Sequence, residues 1–386
     1  MKRLAITTHF YYTNCPSFEL RKWLLKEELP YFLWIAHPLM YHARLQGRYF
    51  EIFAQGKPAG GMASPIRREA ALVQYVKDFL LTIYWTIKTG QKFDVFIGFD
   101  NLNAFAGWVL KRLGVARQCV FYVVDYSPLR FENKVLNWIY HKIESFCAIH
   151  CDETWNLSER MISARETFKG IKPEQCGIQK IAPMGIWHDD MPSVPESEVK
   201  YRQLVYMGAI TKKQGIQFVL EAIPKIVARI PDFTFLVIGD GDYLDELKAQ
   251  ADRPGIRERV HFTGYIQDHH EIDRLVAESG LAVALYERGD PLRNFTYYTD
   301  PGKIKVYLGA GVPVLITDVP HNAMEIEQNR CGRIVTTDAD NIASEVVALM
   351  NDEQELKSYR QNALSYSQRF RWEAIFSNLF DSLAKN

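Results

Sequence analysis

The sequence predicts an α/β protein made of two Rossmann-like, doubly wound domains that face a cleft. Three observations support this fold class. The chain has 386 residues, which is enough for two domains. Strand-like apolar runs alternate with amphipathic helices, as they do in parallel sheets joined by crossover helices. The alternation stops at the polar, proline-containing segment 186–200 and then starts again.

In the first half, apolar and β-branched runs predict strands. These strands lie at 4–10, 32–39, 94–100, 118–126 and 152–158. Segments with helical periodicity fill the spaces between them. The predicted helices lie at 18–29 (capped by Ser17), 68–90, 101–114, 133–149 and 159–168. We expect an N-terminal domain over residues 1–188, with a C-terminal helix at about 370–386 packed back on it.

The second half repeats the pattern and predicts a C-terminal domain over residues 200–368. Its predicted strands lie at 202–209, 233–242, 259–266, 281–286 and 312–318. Its predicted helices lie at 215–230, 243–251, 270–279, 303–311 and 341–350, followed by one long helix at 353–384. Two doubly wound halves in series are expected to place the largest cleft between them.

Charge differs between the two halves. Residues 1–190 carry 24 Lys and Arg against 18 Asp and Glu, and residues 191–386 carry 22 against 28. A basic first half suits an anionic acceptor or a membrane surface, and compositional chance is the alternative. No long basic run is interleaved with aromatic residues, so nucleic acid is not expected as a partner.

The six cysteines include no CxxC pair, and no His or Cys completes a metal site around Cys147 and Cys151. We therefore expect reduced thiols, no bound metal and a cytoplasmic location. The opening MKRLAITTHF predicts a strand rather than a signal peptide. No run reaches the ~18 apolar residues that a membrane span requires.

Four motifs in the second half suit a phosphorylated ligand. In the first, a strand ends at Gly208 and is followed by Lys212, Lys213, Gln214 and Gly215 before a helix. Glycine permits close backbone approach, and lysines at a helix start attract phosphate. An ordinary strand-to-helix turn with solvated lysines is the alternative.

The second motif is Gly239-Asp240-Gly241 after a strand, which permits close approach but lacks the spacing of a dinucleotide fingerprint. In the third, Gly264 is followed by Tyr265 and Ile266, which we expect to flank a planar base. A tight turn and a simple strand end are the respective alternatives.

The fourth motif, at 299–320, predicts the sharpest anion site. Pro301 suits a first helical turn. The free N–H groups of residues 302–304, with the side chain of Lys303, form a positive helix end.

Together, in this order, the four motifs resemble those of the family-4 retaining glycosyltransferases with the GT-B fold. The likeness spans roughly residues 202–380. It rests on the following positions: Gly208, Lys213, Gln214, Gly215, Gly239, Gly241, Phe262, Gly264, Tyr265, Ile266, Pro301, Lys303, Tyr307, Gly311, Pro313 and the segment 371–376. The sequence departs from the family pattern at the expected Arg (Ala209), the Lys of the lysine–glycine pair (Gln214) and the two expected Glu residues (Tyr298 and Val306).

The resemblance implies an enzyme of the hexosyltransferase type that takes a sugar from a UDP or GDP sugar, with no cofactor. It implies a C-terminal donor domain and an N-terminal acceptor domain that close over the donor. Lys303 would stabilise the departing diphosphate. The implied donor-binding residues are Gly208, Lys212, Lys213, Gln214, Gly239, Gly241, Tyr265, Ile266, Asp300, Gly302, Ile304 and Tyr307.

In the first half, polar residues at predicted strand ends are the candidates for the acceptor site. Asp125 and Asp100 are the candidate catalytic carboxylates. A helix cap or an ion pair with Arg130 is the equal alternative for Asp125, and a structural role is a similarly weighted alternative for Asp100 and Asn101. The predicted acceptor-binding residues are His9, Asn14, Ser17 and Asn101.

The resemblance also implies a glycan or a lipid-linked saccharide as the acceptor. The aromatic stretch 79–85 suggests peripheral contact with the inner face of a membrane, with core packing as the stronger alternative. Three other functions remain open: a different enzyme on the same fold, such as a sugar-nucleotide epimerase or a phosphorylase; a non-catalytic partner subunit; and a peripheral membrane scaffold.

Overall fold

The computed structural model describes residues 3–10, 15–39, 47–65 and 70–383. The chain divides into two compact units, one made of Met1–Pro183 with Ile375–Asn386 and the other of Met184–Ala374. Each unit is built on one sheet.

The N-terminal unit contains an eight-stranded sheet with the order β4-β3-β2-β1-β5-β6-β7-β8. Its strands are β1 (Arg3–Phe10), β2 (Tyr31–Pro38), β3 (Arg48–Ala54), β4 (Lys57–Ser64), β5 (Phe93–Phe99), β6 (Ala116–Val123), β7 (Glu153–Asn156) and β8 (Ile178–Ile181). Its helices are α1 (Pro16–Lys26), α2 (Ala71–Lys88), α3 (Asn101–Arg112), α4 (Lys134–His150) and α5 (Glu159–Lys169).

The C-terminal unit contains a six-stranded, all-parallel sheet with the order β11-β10-β9-β12-β13-β14. Its strands are β9 (Lys200–Met207), β10 (Thr234–Ile238), β11 (Val260–Gly264), β12 (Ser279–Ala284), β13 (Val314–Ile316) and β14 (Gly332–Ile334). Its helices are α6 (Ile216–Val227), α7 (Leu244–Ala251), α8 (His269–Ala277), α9 (Phe295–Tyr298), α10 (Gly302–Gly309), α11 (Ala323–Gln328), α12 (Ala339–Asn351) and α13 (Glu353–Ser367); α14 (Trp372–Leu383) begins in this unit.

The central strands β12 and β13 of the C-terminal sheet are buried on both faces. In the C-terminal unit, alternate residues of β9 enter different cores, so that Leu204 and Tyr206 pack on one face of the sheet and Val205 on the other. Pleating therefore gives this sheet two apolar faces, each of which must be covered by helices.

The sheet of the N-terminal unit differs from the parallel one that the alternation predicts. β3 pairs antiparallel with β2, and β4 pairs antiparallel with β3. The hairpin was not predicted because β4 is exposed and contains Gly60 and Gly61, so it lacks an apolar strand pattern.

Two predicted helices also need correction. The first begins at Pro16 with Cys15 as its N-cap, so Ser17 does not cap it. The long final helix is interrupted at Arg371, because the chain there turns to pair with Ile186: the Ile186 N–H donates to the Phe370 carbonyl (2.8 Å), and the Trp372 N–H donates to the Ile186 carbonyl (3.1 Å).

Among the described residues, no helix combines the length and the apolar character that crossing a bilayer requires.

Candidate functional site

Three glycines, Gly208, Gly239 and Gly241, lie at the carboxyl ends of β9 and β10, and we call them the glycine platform. Gly208 follows β9 and Gly239 follows β10, with φ angles of 133° and 137°. The Gly208 N–H donates to the Ile238 carbonyl (3.0 Å), and the Gly239 N–H donates to the Gly264 carbonyl (3.1 Å). A Cβ on Gly239 would overlap the Gly208 carbonyl, and one on Gly241 would overlap the Ile210 carbonyl. Only glycine fits these contacts, and its absent side chain lets a ligand approach the backbone.

The ammonium of Lys303 lies beside this platform. Lys303 is in the first turn of α10, after Pro301 as N-cap. Its Nζ donates to Tyr206 Oη (3.0 Å) and to Gln214 Oε1 (2.7 Å). A Cβ on Gly208 would lie 3.1 Å from this Nζ. The structure therefore brings Gly208, Gln214 and Lys303 together, as the motifs predict.

Aromatic rings surround the same ammonium. The Lys303 Nζ is 4.3 Å from the ring centroid of Tyr206 and 5.5 Å from that of Tyr286. Within the described part of the chain, Lys303 has no carboxylate partner. Burial lowers the pKa of this ammonium to about 7. A cation surrounded by neutral groups gains more from an incoming anion than one that is already paired.

Lys305, two positions further along α10, has the opposite environment. Its Nζ lies 2.8 Å from Asp300 Oδ1, and both side chains are fully buried. Asp300 also accepts a hydrogen bond from the Met184 N–H (2.9 Å) and faces His321 at 3.1 Å. Burial alone would raise the pKa of Asp300, but Lys305 and His321 outweigh it and leave the pKa lowered. The structure thus places Asp300, a predicted donor-binding residue, inside a buried ion pair.

Two other predicted donor-binding residues lie in the core beneath the platform. Tyr307 is buried, and its hydroxyl accepts a hydrogen bond from the Met207 N–H (2.8 Å), immediately before Gly208. Ile304 is also fully buried. Gly302 starts α10, where a Cβ would lie 3.0 Å from Met184 Cε. These residues hold the platform and the start of α10 in place.

The remaining predicted donor residues are more spread out. Lys212 lines an open cavity of about 520 Å³ with Gln217 and Glu287, while the Lys213 carbonyl accepts from the Glu287 N–H (3.1 Å). Tyr265 is 63% exposed. Ile266 packs against the core.

In the N-terminal unit, the carboxyl ends of β1 and β2 carry a buried ionisable cluster. His9 ends β1, and its Nδ1 accepts from Asn103 Nδ2 (3.0 Å). The orientation of the Asn103 amide is fixed because the same Nδ2 donates to the Phe99 carbonyl (2.6 Å). The His9 Nε2 therefore carries the proton and donates to Asp78 Oδ2 (3.2 Å).

Asp78 on α2 is the centre of this cluster. It is ion-paired with Arg48, and its Oδ1 lies 3.4 Å from His37 Nδ1. The His37 Nε2 is hydrogen-bonded to Thr82 Oγ1 (2.8 Å), and burial lowers the pKa of His37 to about 3. Burial opposes ionisation of Asp78, but its hydrogen bonds with His9 and Arg48 leave its pKa lowered. The cluster thus holds a carboxylate paired with a guanidinium beside two fixed imidazoles.

Asp100, at the end of β5, is held in a strained conformation. Its φ of 64° and ψ of 168° lie in a region that is essentially restricted to glycine. Burial, followed by the negative charge of Asp125, raises the pKa of Asp100 to about 6. Strain of this kind is concentrated at functional sites, and a carboxyl with this pKa can exchange a proton near neutrality.

The other residues predicted at the strand ends of the N-terminal unit already contact partners within the protein. Asp125 pairs with Arg130 at 3.2 Å, as the alternative interpretation expected. Asn101 donates to the Tyr140 carbonyl (2.9 Å). Ser17 is buried and lies 3.0 Å from Thr8 Oγ1 and from Cys15 Sγ. Asn14 lies outside the described residues.

Several residues of these two edges were not predicted. Tyr206 and Tyr286 flank Lys303, and Arg48, Asp78 and Asn103 fix His9. In sequence, the tyrosines are typical of core strands, and Asp78 lies within an apolar helix. Among the described residues, no group of three His, Cys, Asp or Glu is arranged to hold a metal ion.

Comparison with known proteins agrees with the motifs. Residues 201–352 match the family model described as glycosyl transferases group 1. This segment is therefore similar to group 1 glycosyltransferases. It contains the platform, Gln214 and Lys303.

A segment of 182 residues is 26% identical to phosphatidyl-myo-inositol mannosyltransferase of Mycolicibacterium smegmatis, covering 46% of this chain and 44% of that relative. The chain thus spans about half the length of the curated relatives it matches.

Two solved structures share the fold. HepE of Anabaena in complex with UDP superposes with a TM-score of 0.70 at 15% identity. Sucrose-phosphate synthase of Thermosynechococcus elongatus superposes with a TM-score of 0.74 at 16% identity. Each match covers 100% of both chains. At this identity the likeness concerns the fold alone. The prediction of a GT-B fold with two Rossmann-like units is confirmed.

Proposed function

We propose that the chain is a retaining glycosyltransferase of the hexosyltransferase type. It would move a sugar from a nucleoside-diphosphate sugar to a saccharide or lipid-linked acceptor in glycan biosynthesis. One observation carries this proposal: in the segment 201–352, an ammonium without a carboxylate partner lies beside a glycine platform at the carboxyl ends of parallel strands.

The donor diphosphate fits this edge in charge and shape. Its oxygens would accept hydrogen bonds from Lys303 Nζ and from the N–H groups of Gly302 and Lys303, while the glycines let the pyrophosphate lie against the backbone. The Ile304 N–H, which the motif predicts to be free, instead donates to the Pro301 carbonyl (3.2 Å). Charge grows on the diphosphate as the sugar–phosphate bond breaks, and a fixed cation stabilises that charge. The proposal needs no cofactor, because Lys303 and the helix end already supply positive charge.

Names among the relatives support a nucleotide donor. One is a mannosyltransferase that is named as GDP-mannose-dependent, and HepE was solved with UDP. We therefore propose a UDP or GDP sugar as the donor.

On the acceptor side, we assign the proton-handling role to Asp100 rather than to Asp125. The carboxylate of Asp125 is already paired with Arg130. Asp100 has a raised pKa and a strained backbone, and it lies at a strand end of the N-terminal unit. It would accept a hydrogen bond from the attacking hydroxyl, with His9 held close to the same edge by Asp78 and Asn103.

Nucleotide-dependent thermal stabilisation tests this function. A ligand that binds only the native state raises its stability by about 2.7 kcal/mol at 100 times its Kd. We expect UDP, GDP or their sugars to raise the Tm of the wild type, and Lys303→Ala to lose that rise. The control Lys248→Ala removes an exposed lysine of α7 and should keep it.

The nucleotide that shifts the Tm also names the base. Absence of a shift with every nucleotide in the panel would exclude an active transferase and favour a non-catalytic partner subunit.

A further inference from the structure

The helix α2 has the reverse of the usual amphipathic pattern. Its fully buried side chains are Gln74, Asp78, Thr82 and Thr86, with Trp85, and the partly buried Leu81 and Ile83 pack against the core beside them. Its outer face is mainly apolar. The exposed apolar side chains are Leu72 (61%), Val73 (46%), Val76 (51%), Leu80 (57%), Tyr84 (54%) and Ile87 (47%), and the exposed charged ones are Lys77 and Lys88. Surface helices of globular proteins place their apolar residues towards the core, so this outer face indicates an apolar partner.

The apolar surface continues over α3 and α4. Phe79 of α2 stacks on Phe105 of α3 at 5.4 Å, and Phe105 contacts Phe146 of α4 at 5.5 Å. A groove of about 430 Å³ lies there, lined by Phe105, Trp108, Lys142, Ile143 and Phe146.

On α4 itself the exposed apolar side chains include Val135 (65%), Leu136 (43%), Trp138 (61%) and Ile139 (38%). We call these exposed residues of α2 and α4, with the groove, the α2–α4 face.

The charges on this face have one sign. The three helices contain two carboxylates, Asp78 and Glu144, and both are buried in ion pairs, with Arg48 and Arg165. Their exposed charged groups include Lys88, Lys134, Lys142 and Arg112.

Two of these cations sit above exposed aromatic rings. Lys88 Nζ is 5.6 Å from the centroid of Tyr84, and Lys142 Nζ is 5.8 Å from that of Trp138. Aromatic rings and lysines with apolar stems are the side chains that suit the boundary between lipid headgroups and acyl chains.

We infer that the α2–α4 face docks on the surface of a bilayer that contains anionic lipids. The apolar side chains would enter the headgroup boundary with the helices lying in its plane, while the cations face lipid phosphates. A second copy of this chain fits less well, because a twofold contact would bring like charges together. The inference goes beyond the proposed transfer reaction and does not depend on it, since docking needs no nucleotide.

Vesicle flotation of the full chain tests this inference. We expect binding to vesicles of phosphatidylcholine mixed with phosphatidylglycerol, and weaker binding to phosphatidylcholine alone. The pair Leu80→Ser with Tyr84→Ser should reduce binding about tenfold or more, because it removes apolar burial. The pair Lys88→Glu with Lys142→Glu should reduce it by at least as much, and only on the anionic vesicles.

Two control variants match these changes elsewhere on the chain. Met324→Ser removes a side chain that is 59% exposed on α11, and Lys248→Glu reverses an exposed charge on α7. Both should bind vesicles as the wild type does. A Tm and a far-ultraviolet circular dichroism spectrum equal to those of the wild type would show that the fold is intact in each variant.

Three results would overturn the inference: no flotation of the wild type with either vesicle, equal flotation of the face variants and the controls, or a dimer in sedimentation that the Leu80 and Tyr84 changes dissociate while flotation is absent. The last result would assign the face to a second copy. None of them bears on nucleotide binding, so failure here is distinct from failure of the proposed transferase activity.

Discussion

The strand edges of the two units handle charge in opposite ways. At the edge of the C-terminal unit, a glycine platform and neutral side chains surround one ammonium, Lys303, that has no carboxylate partner within the described residues. At the edge of the N-terminal unit, Asp78 is already paired with Arg48 and contacts His9. The first arrangement leaves a positive charge for an external anion. In the second arrangement the charged groups pair with one another, and they fix the orientation of the His9 imidazole.

This difference matches the two kinds of substrate in the proposed reaction. A diphosphate carries its own negative charge, and a lone cation beside bare backbone recognises it. An acceptor hydroxyl is neutral and must be oriented, which requires rigid polar groups more than net charge. The following predictions test this comparison, starting with the largest expected effect.

Replacing Asp78 with Asn should disrupt the buried ionisable cluster of the N-terminal unit and lower the free energy of unfolding. The change leaves Arg48 buried without its anion, and truncating one member of a buried ion pair costs about 3–5 kcal/mol. Denaturant unfolding at neutral pH measures this loss. Asp340→Asn is the matched control, because it removes the carboxylate of an exposed pair with Lys225 and should cost less than about 1 kcal/mol. Equal effects of the two changes would mean that the Asp78 cluster is solvated.

Replacing Gly239 with Ala should distort the glycine platform of the C-terminal unit and lower the free energy of unfolding. The new Cβ would overlap the Gly208 carbonyl, and the φ of 137° disfavours any side chain. We expect a loss of about 2–4 kcal/mol together with loss of nucleotide-dependent stabilisation.

Gly90→Ala separates these two causes. Gly90 also has a positive φ, of 65°, but no atom lies within 4 Å of its Cβ position. This control should cost about 1 kcal/mol and leave nucleotide binding intact. Equal losses of stability in Gly239→Ala and Gly90→Ala would show that the close packing around Gly239 does not add to the cost of the substitution.

The sequence predicts the C-terminal edge better than the N-terminal one, for a physical reason. Backbone approach and helix-end charge impose glycine, proline and lysine within short segments, so Gly208 and Lys303 were identified from local spacing. The role of Asp78 depends on Arg48 and His9, which lie 30 and 69 positions away. Long-range pairing of this kind leaves no local pattern.

The local sequence likewise does not reveal which face of α2 is exposed. The sequence of this helix is apolar almost throughout, and core packing was the stronger interpretation for the stretch 79–85. Burial of Trp85 agrees with that interpretation, whereas exposure of Leu80 and Tyr84 does not. Which side of an apolar helix faces solvent is decided by the polar partners of Asp78 and Thr82 on the neighbouring strands, and periodicity alone cannot supply that information.

Nucleotide affinity should depend on the protonation of Lys303. Burial lowers its pKa to about 7, so the free protein loses this charge as the pH rises through that value. Affinity for a nucleoside diphosphate should then fall by up to about tenfold per pH unit. Lys303→Arg stays charged, so its profile reports only the ionisation of the nucleotide itself. Isothermal titration on both sides of pH 7 measures the difference, and parallel profiles for the two proteins would show that Lys303 does not carry the binding charge.

The smallest expected effect is on Asp100. Its pKa is raised to about 6 by burial first and by Asp125 second, so Asp125→Asn should lower that pKa only part of the way towards its ordinary value of 3.8. Because the folded pKa exceeds the unfolded one, Asp100 contributes stability below about pH 4 that disappears as the pH rises through 6. In the variant this contribution should disappear at a lower pH. Carboxyl NMR titration, with Asp100→Asn to assign the signal, measures the shift.

The size of that shift discriminates between two causes for the state of Asp100. A small shift means that the local burial of the strand end sets its proton affinity, as it does for Lys303 in the other unit. A shift back to the ordinary value near 3.8 would instead make Asp125 the controlling charge. The N-terminal edge would then depend on pairwise charges at Asp100 as well as at Asp78, and burial would be the dominant influence only at the edge that carries Lys303.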